Sequence, residues 1–202
     1  MVINFDNVAG SWDKESMHIQ RASAVANAIL KKLPITKSKR ALEFGAGTGQ
    51  LSFLLQKKFN EIYLVDNSKG MLEILSEKIS NSKLTHLYPI NFDINNPEQC
   101  HNLGRFDVVY MMMTLHHIIE TEKFLQNIYL LLNERSKLFI CDLDREDGSF
   151  HEGETDVIFG FDRDQLARTM TKLNFKNPKF ETVFSINKNN KDYPVFLLHT
   201  YK

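Results

Sequence analysis

Short apolar runs alternate with leucine-spaced amphipathic stretches along nearly the whole chain. Strand signals fall near residues 40–44, 61–66, 84–88, 106–110, 136–142, 179–185 and 194–200. Each is a short hydrophobic run bounded by polar or glycine breaks. Between them lie helical patterns. Residues 14–33 carry Ala22, Val25, Ala26, Ile29 and Leu33 on one face, and 49–58 follow the first strand. Residues 70–80 align Leu72, Leu75 and Ile79, while 121–132 align Phe124, Leu125, Ile128, Leu131 and Leu132. The stretch 162–173 opens on Asp162-x-x-Gln165, which reads as a capping box, and stops at Asn174, a residue tolerant of left-handed backbone. Strand–helix alternation predicts parallel pairing with right-handed crossovers. The last two strands have no helix between them. The polar turn Asn187 to Asp192 predicts an antiparallel return. The expectation is an α/β fold around a mostly parallel seven-stranded sheet.

One junction in this pattern carries chemistry. The run Ala41-Leu42-Glu43-Phe44-Gly45-Ala46-Gly47-Thr48-Gly49 is a strand breaking into alternating glycines, and Leu51, Leu54 and Leu55 begin a helix at once. Glycines there accept positive φ and let a ligand lie against bare backbone. The next strand, Glu61 to Asp66, delivers a carboxylate at its C-terminal end. An acid about 20 residues beyond such a glycine turn suits a ribose diol. Dinucleotide sites use G-x-G-x-x-G to pack around a pyrophosphate. Here the spacing is G-x-G-x-G, with Gln50 in the place of the third glycine. Glu43 would repel a pyrophosphate and welcome a cation, such as the amino end or sulfonium of S-adenosylmethionine. A glycine turn serving only the fold is the competing reading.

Composition narrows the class. The 202 residues suffice for one α/β core and are too few for two ordinary domains, so a single domain is expected, with 1–38 as its N-terminal helical segment. Lys+Arg and Asp+Glu both count 25, a balance that argues against tight nucleic-acid binding. Of the two cysteines, Cys141 lies in the apolar run Leu138–Cys141 and reads as a buried free thiol. No basic stretch precedes an apolar one at the N-terminus, and no run reaches the ~20 apolar residues of a membrane helix, so a cytoplasmic location is expected. A monomer or a homodimer is equally consistent.

The chain resembles the class I S-adenosylmethionine-dependent methyltransferases. Glu43 to Gly49, Asp66, Asn91-Phe92-Asp93-Ile94, Phe106-Asp107-Val108-Val109-Tyr110 and Leu115-His116-His117-Ile118 match that family's motifs in order. The likeness runs from about Arg40 to the C-terminus and is closest to the small-molecule branch. It implies a Rossmann-like three-layer sandwich whose last strand is antiparallel, S-adenosyl-L-methionine as cofactor, and a small-molecule acceptor. The DNA-amine branch carries N/D-P-P-Y/F after its fourth strand, where this chain reads Tyr110-Met111-Met112-Met113. A non-catalytic cofactor-binding subunit remains an alternative. A nicotinamide oxidoreductase is disfavoured by the glycine spacing.

The ligand of such a fold sits outside the carboxyl ends of the central strands. Gly45, Ala46, Gly47 and Gly49 are expected beneath the methionine part, with Glu43 beside it and Asp66 on the ribose. Asn67 and Met71 lie where adenine needs an apolar neighbour, although Met71 would equally suit the core. The resemblance puts Asp93 on the adenine amine, with Ile94 beside it; a turn before Pro97 is the plainer role. Met111, Met112 and Met113 are expected along the wall near the methyl, or as soft core packing. His116 and His117 are adjacent, so on a helix they point about 100° apart and one alone would face the cavity. That histidine would accept the acceptor's proton, or merely order its loop; methyl transfer needs no general base if orientation suffices. The carboxylate-rich stretch Asp142 to Glu154 leaves the fifth strand at the ligand edge. Residues 143–161 read as an acceptor-site lid, mobile without acceptor, with Asp144 or His151 touching substrate and Phe150 excluding water, or else as a solvated loop. Asp144, Asp147 and His151 lack tight metal-ligand spacing, so no metal is expected.

Overall fold

The computed structural model describes residues 5–33, 38–92, 99 and 102–202. Seven strands form one sheet: β1 (Ser38–Phe44), β2 (Phe59–Asp66), β3 (Leu87–Asn91), β4 (Phe106–Met112), β5 (Leu132–Leu143), β6 (Lys176–Lys188) and β7 (Lys191–Tyr201). Their order is β3-β2-β1-β4-β5-β7-β6. β1 through β5 pair in parallel, and β7 runs antiparallel to both β5 and β6. The winding reverses between β1 and β4. There the carboxyl ends of neighbouring strands diverge and leave a crevice.

The helices are α1 (Phe5–Trp12), α2 (Ser16–Leu30), α3 (Gln50–Leu55), α4 (Lys69–Asn81), α5 (Thr121–Leu131) and α6 (Arg163–Lys172). Alternation along the buried strands gives the sheet two apolar faces. Ala41, Leu64, Tyr110 and Phe139 join Val25, Ile29, Leu51 and Leu75 on one face. Leu42, Val65, Val109 and Leu138 join Phe124, Ile128, Leu166 and Met170 on the other. The expected three-layer α/β fold is therefore observed.

Departures from the sequence reading are local. β3 begins at Leu87, not near 84, because Leu84 N–H turns back to Ile79 O after α4 and Leu87 registers against Ile62. α1 places Phe5, Val8, Ala9 and Trp12 at i, i+3, i+4 and i+7, an apolar stripe on a helix of 8 residues that precedes the expected 14–33 helix. The last hairpin is longer than expected and turns at Asn189 and Asn190, with φ of 53° and 60°. Positive φ at both central residues matches the right-handed twist of the strands. Asp162 caps α6 as expected, accepting the Gln165 N–H at 2.7 Å. Cys141 is a buried free thiol. Among the described residues no helix is long and apolar enough to cross a membrane.

Candidate active site

The carboxyl ends of β1, β2, β4 and β5 open into a cavity of about 830 Å³. That is within the range of small-molecule sites, roughly 300–1,000 Å³. Its floor is the turn after β1. Gly45 and Ala46 N–H both donate to Val65 O, and Gly45, Gly47 and Gly49 have φ of 66°, 52° and 78°. A Cβ at Gly45 would meet the Thr114 side chain at 2.3 Å, whereas one at Gly47 would meet only Met71 Sδ, at 4.0 Å. Gly47 thus leaves open space where a ligand would lie on backbone. Gly49 does not line the cavity; it precedes α3, and a Cβ there would strike Leu75 at 2.5 Å. Its expected place beneath the ligand is corrected to a helix–helix contact.

Asp66 ends β2 beside this turn. Its Oδ2 accepts the Gly47 N–H at 2.7 Å and its Oδ1 the Ser68 N–H at 2.9 Å. Burial pushes its carboxyl up, against the lowering by backbone N–H of Ser68, Gly47 and Asn67. Ser68 caps α4 through the Met71 N–H and donates to Asp6 Oδ1 at 2.6 Å. Asn67, Met71 and Phe92 line the cavity. Asp93 and Ile94 lie outside the described residues.

Glu43 also faces the cavity but is 2% exposed. Ser52 Oγ–H donates to its Oε2, and Tyr110 Oη lies 2.6 Å from the same Ser52 Oγ. Burial pushes the Glu43 carboxyl up to about 8. A neutral acid held there becomes a carboxylate when a cation arrives, which fits the amino group of an S-adenosylmethionine molecule. With Asp66 and the bare Gly47 backbone, the residues present fit that cofactor.

The opposite wall was not legible in sequence. Phe5, Trp12, Met17, His18 and Arg21, all from α1 and α2 or the turn between them, line the cavity. Asp13 fastens this wall to the glycine turn: it accepts from Thr48 Oγ1 (2.5 Å), Gln50 Nε2 (2.8 Å) and Lys78 Nζ (2.7 Å). Trp12 stacks on His18 with ring centroids 4.1 Å apart, and Phe5 meets His117 edge-on at 5.3 Å.

Histidines gather on the β4–β5 side. His116 and His117 both line the cavity, on a 3-10 turn (Leu115–His117) and not on the α-helix that would have separated them. His116 is engaged: its Nδ1 lies 2.7 Å from Asp142 Oδ1, and its backbone N–H donates to Asp142 Oδ2. Burial opposes the Asp142 charge, but His116 and the Leu143 N–H hold its carboxyl below the usual range. Burial, then the neighbouring His116, pulls His117 down to about 3, so it is a neutral imidazole.

The segment after β5 folds over the cavity. Glu146 accepts the Phe150 N–H at 3.1 Å and lies 3.0 Å from His151 Nδ1. His151 is buried and its Nε2 has no partner. Phe150 and His151 line the cavity, as expected. Asp144 does not. Arg163 Nε and Nη2 donate to its two oxygens at 2.6 and 2.7 Å, so the expectation of substrate contact is corrected to an ion pair that ties α6 to the strand end. Met111 is likewise corrected: alternation along β4 turns it into the core face opposite Tyr110, and Met112 and Met113 line the cavity instead. Among the described residues no group of three His, Cys, Asp or Glu side chains is arranged to hold a metal.

Residues 42–138 match a family described as a methyltransferase domain. An uncharacterized methyltransferase of Staphylococcus carnosus is 32% identical over 117 residues, 56% of this chain and 52% of that protein. A ubiquinone biosynthesis O-methyltransferase of Coxiella burnetii is 26% identical over 110 residues, 54% of this chain and 45% of that protein. The chain spans about half the length of the curated relatives it matches. Among solved structures, the phosphoethanolamine N-methyltransferase 2 of Haemonchus contortus in complex with S-adenosyl-L-methionine aligns with a TM-score of 0.72. That alignment covers 100% of this chain and 60% of that one at 17% identity, a likeness of fold.

Proposed function

We propose that this chain, whose residues 42–138 match a methyltransferase domain, is a class I S-adenosylmethionine-dependent methyltransferase that methylates a nucleophilic atom of a small-molecule acceptor. The observation that carries this reading is one cavity shared by the Gly45–Gly47 turn, the Asp66 carboxylate and the folded-over segment with Phe150 and His151. The cofactor, when bound, supplies a methyl carbon activated by the sulfonium.

Each residue then has a task. Asp66 accepts from the ribose hydroxyls with the lone pairs that Gly47 and Ser68 leave free. Glu43 gives up its proton and faces the amino group. Asn67, Met71 and Phe92 flank the adenine, and Met112 and Met113 line the wall near the methyl. Phe150 excludes water. On transfer of the methyl group, the acceptor's proton would pass to an imidazole that lines the cavity. His151 suits that task best, because its Nε2 has no partner while Glu146 fixes Nδ1. His117 is the other free imidazole. In-line orientation supplies much of the rate of such a displacement.

Calorimetry with S-adenosylhomocysteine, NAD and NADP tests the cofactor. Binding to the first alone is expected, and binding to NAD alone would overturn the reading. Release of S-adenosylhomocysteine in the presence of an acceptor panel separates an enzyme from a binding subunit.

A further inference from the structure

Arg21 is 4% exposed, yet it lines the cavity. Its one hydrogen bond is the weak contact of Nη1 with Met17 Sδ at 3.5 Å, and its buried Nε has no partner at all. Among the described residues no carboxylate stands within ion-pair distance of it. A buried cation left unpaired is costly, and burial alone already disfavours its charge. Such a group persists where a ligand completes it. A guanidinium presents a planar fork that matches a carboxylate or phosphate through two parallel hydrogen bonds.

Its surroundings say which ligand. The titratable groups acting on Arg21 are Cys141 and Asp142 at the end of β5, not Glu43 or Asp66 of the cofactor half. Asp142 is itself consumed by His116 and by the Leu143 N–H. Met17 from α2, with Met113 and Phe150 above β4 and β5, adds apolar surface in the same core region. The nearby histidines leave His151 Nε2 open to a proton donor.

We propose that Arg21 is the anion-binding residue of the acceptor site, and that the acceptor is a small organic acid carrying a carboxylate or phosphate besides the atom that is methylated. This rests on the methyltransferase reading for the word acceptor; the anion site itself does not depend on it.

Calorimetry on the whole chain, with and without saturating S-adenosylhomocysteine, compares 4-hydroxybenzoate with 4-hydroxybenzamide, glycine with glycinamide, and phenyl phosphate with phenol. At least one acid is expected to bind about tenfold or more tightly than its neutral counterpart. Arg21→Met removes that difference, Arg21→Lys keeps part of it, and S-adenosylhomocysteine affinity stays within about twofold in both. Without ligand, Arg21→Met should melt at or above the parent temperature, since it removes an unpaired buried charge. Equal binding of every acid and its neutral partner, or no binding of either, overturns the proposal. So does loss of S-adenosylhomocysteine affinity in Arg21→Met, which would give the guanidinium to the cofactor's carboxylate. Marked destabilisation of both variants overturns it in favour of a purely structural role. A parent chain that ignores S-adenosylhomocysteine but binds acids through Arg21 would sink the methyltransferase reading and keep the anion site.

Discussion

The carboxylate of Asp66 holds the backbone of Gly47: Oδ2 accepts its N–H at 2.7 Å, across the gap between β1 and β2. From sequence the acid serves the ribose alone, and its loss would leave the fold intact. The bond to Gly47 gives it a second task, shaping the turn before any ligand arrives. Asp66→Ala is therefore expected to weaken S-adenosylhomocysteine binding by about 3 kcal/mol and also to lower stability by about 1–2 kcal/mol. Calorimetry and urea melts measure the two effects. Unchanged affinity would refute the ribose assignment.

Glu43 couples the site to pH. Its folded carboxyl sits at about 8, above the ordinary 4.5, because burial disfavours the charge. The folded chain therefore keeps a proton that the unfolded chain has lost. The resulting stability is complete below about pH 4.5 and declines as pH rises to about 8, by something on the order of 5 kcal/mol. Glu43→Gln should flatten this decline in denaturant titrations. S-adenosylmethionine affinity should rise with pH up to about 8 in the parent and be weaker and flat in Glu43→Gln.

His117 acts in the other direction. Its folded value, about 3, lies below the usual 6.5. Its contribution is complete above pH 6.5 and is lost as the pH falls toward 3, because the unfolded imidazole takes the proton first. Proton-detected titration should find this ring neutral at pH 5. A midpoint near 6.5 would mean that it is not buried as described.

Glu146 and His151 form a pair in which the carboxylate fixes one ring nitrogen and the other is buried without a partner, on a residue that lines the cavity. Glu146→Gln and His151→Ala should each lower kcat about 10²-fold, with S-adenosylmethionine affinity almost unchanged. Glu146→Gln should also move the acidic limb of the pH profile, where a proton-accepting imidazole titrates, which a merely structural contact would not do.

The same segment tests closure. Lys188 Nζ donates to Phe150 O at 2.7 Å, and Lys191 pairs with Asp147 at 2.7 Å, both from the β6–β7 hairpin. The second of these is exposed and so a weak fastener, and the first is only partly buried. Amides of residues 147–156 should exchange fast without acceptor and slowly with it. Replacing Phe150 and His151 together by alanine should lower turnover and spare cofactor affinity. Equal activity, or slow exchange in the empty protein, would leave the segment a fixed surface loop.

Asp13 makes the N-terminal wall testable. It holds Thr48, Gln50 and Lys78 at once, so Asp13→Ala is expected to cost about 1–2 kcal/mol of S-adenosylhomocysteine affinity. Calorimetry decides it.

By itself the sequence determined the sheet, its helices, the glycine turn and the acid after β2. These rest on local physics: strand and helix periods are written in consecutive residues, and only glycine suits positive φ where backbone must stay bare. It also pointed to Phe150 and His151, because the segment leaves a strand end whose position the topology dictates. What only the tertiary structure decided was the partner of each charged group. Asp144 and Glu146 are two residues apart and equally acidic in sequence, but Arg163 claims the first and His151 the second. Arg21 reads as one more polar residue of an amphipathic helix until packing buries it near Cys141 and Asp142, with no carboxylate at ion-pair distance among the described residues. Of the methionines expected along the wall, Met112 stays there and Met111 turns into the core, because the pleat sends neighbours to opposite faces. Burial and pairing arise from segments far apart in the chain, so a pattern of neighbours does not contain them.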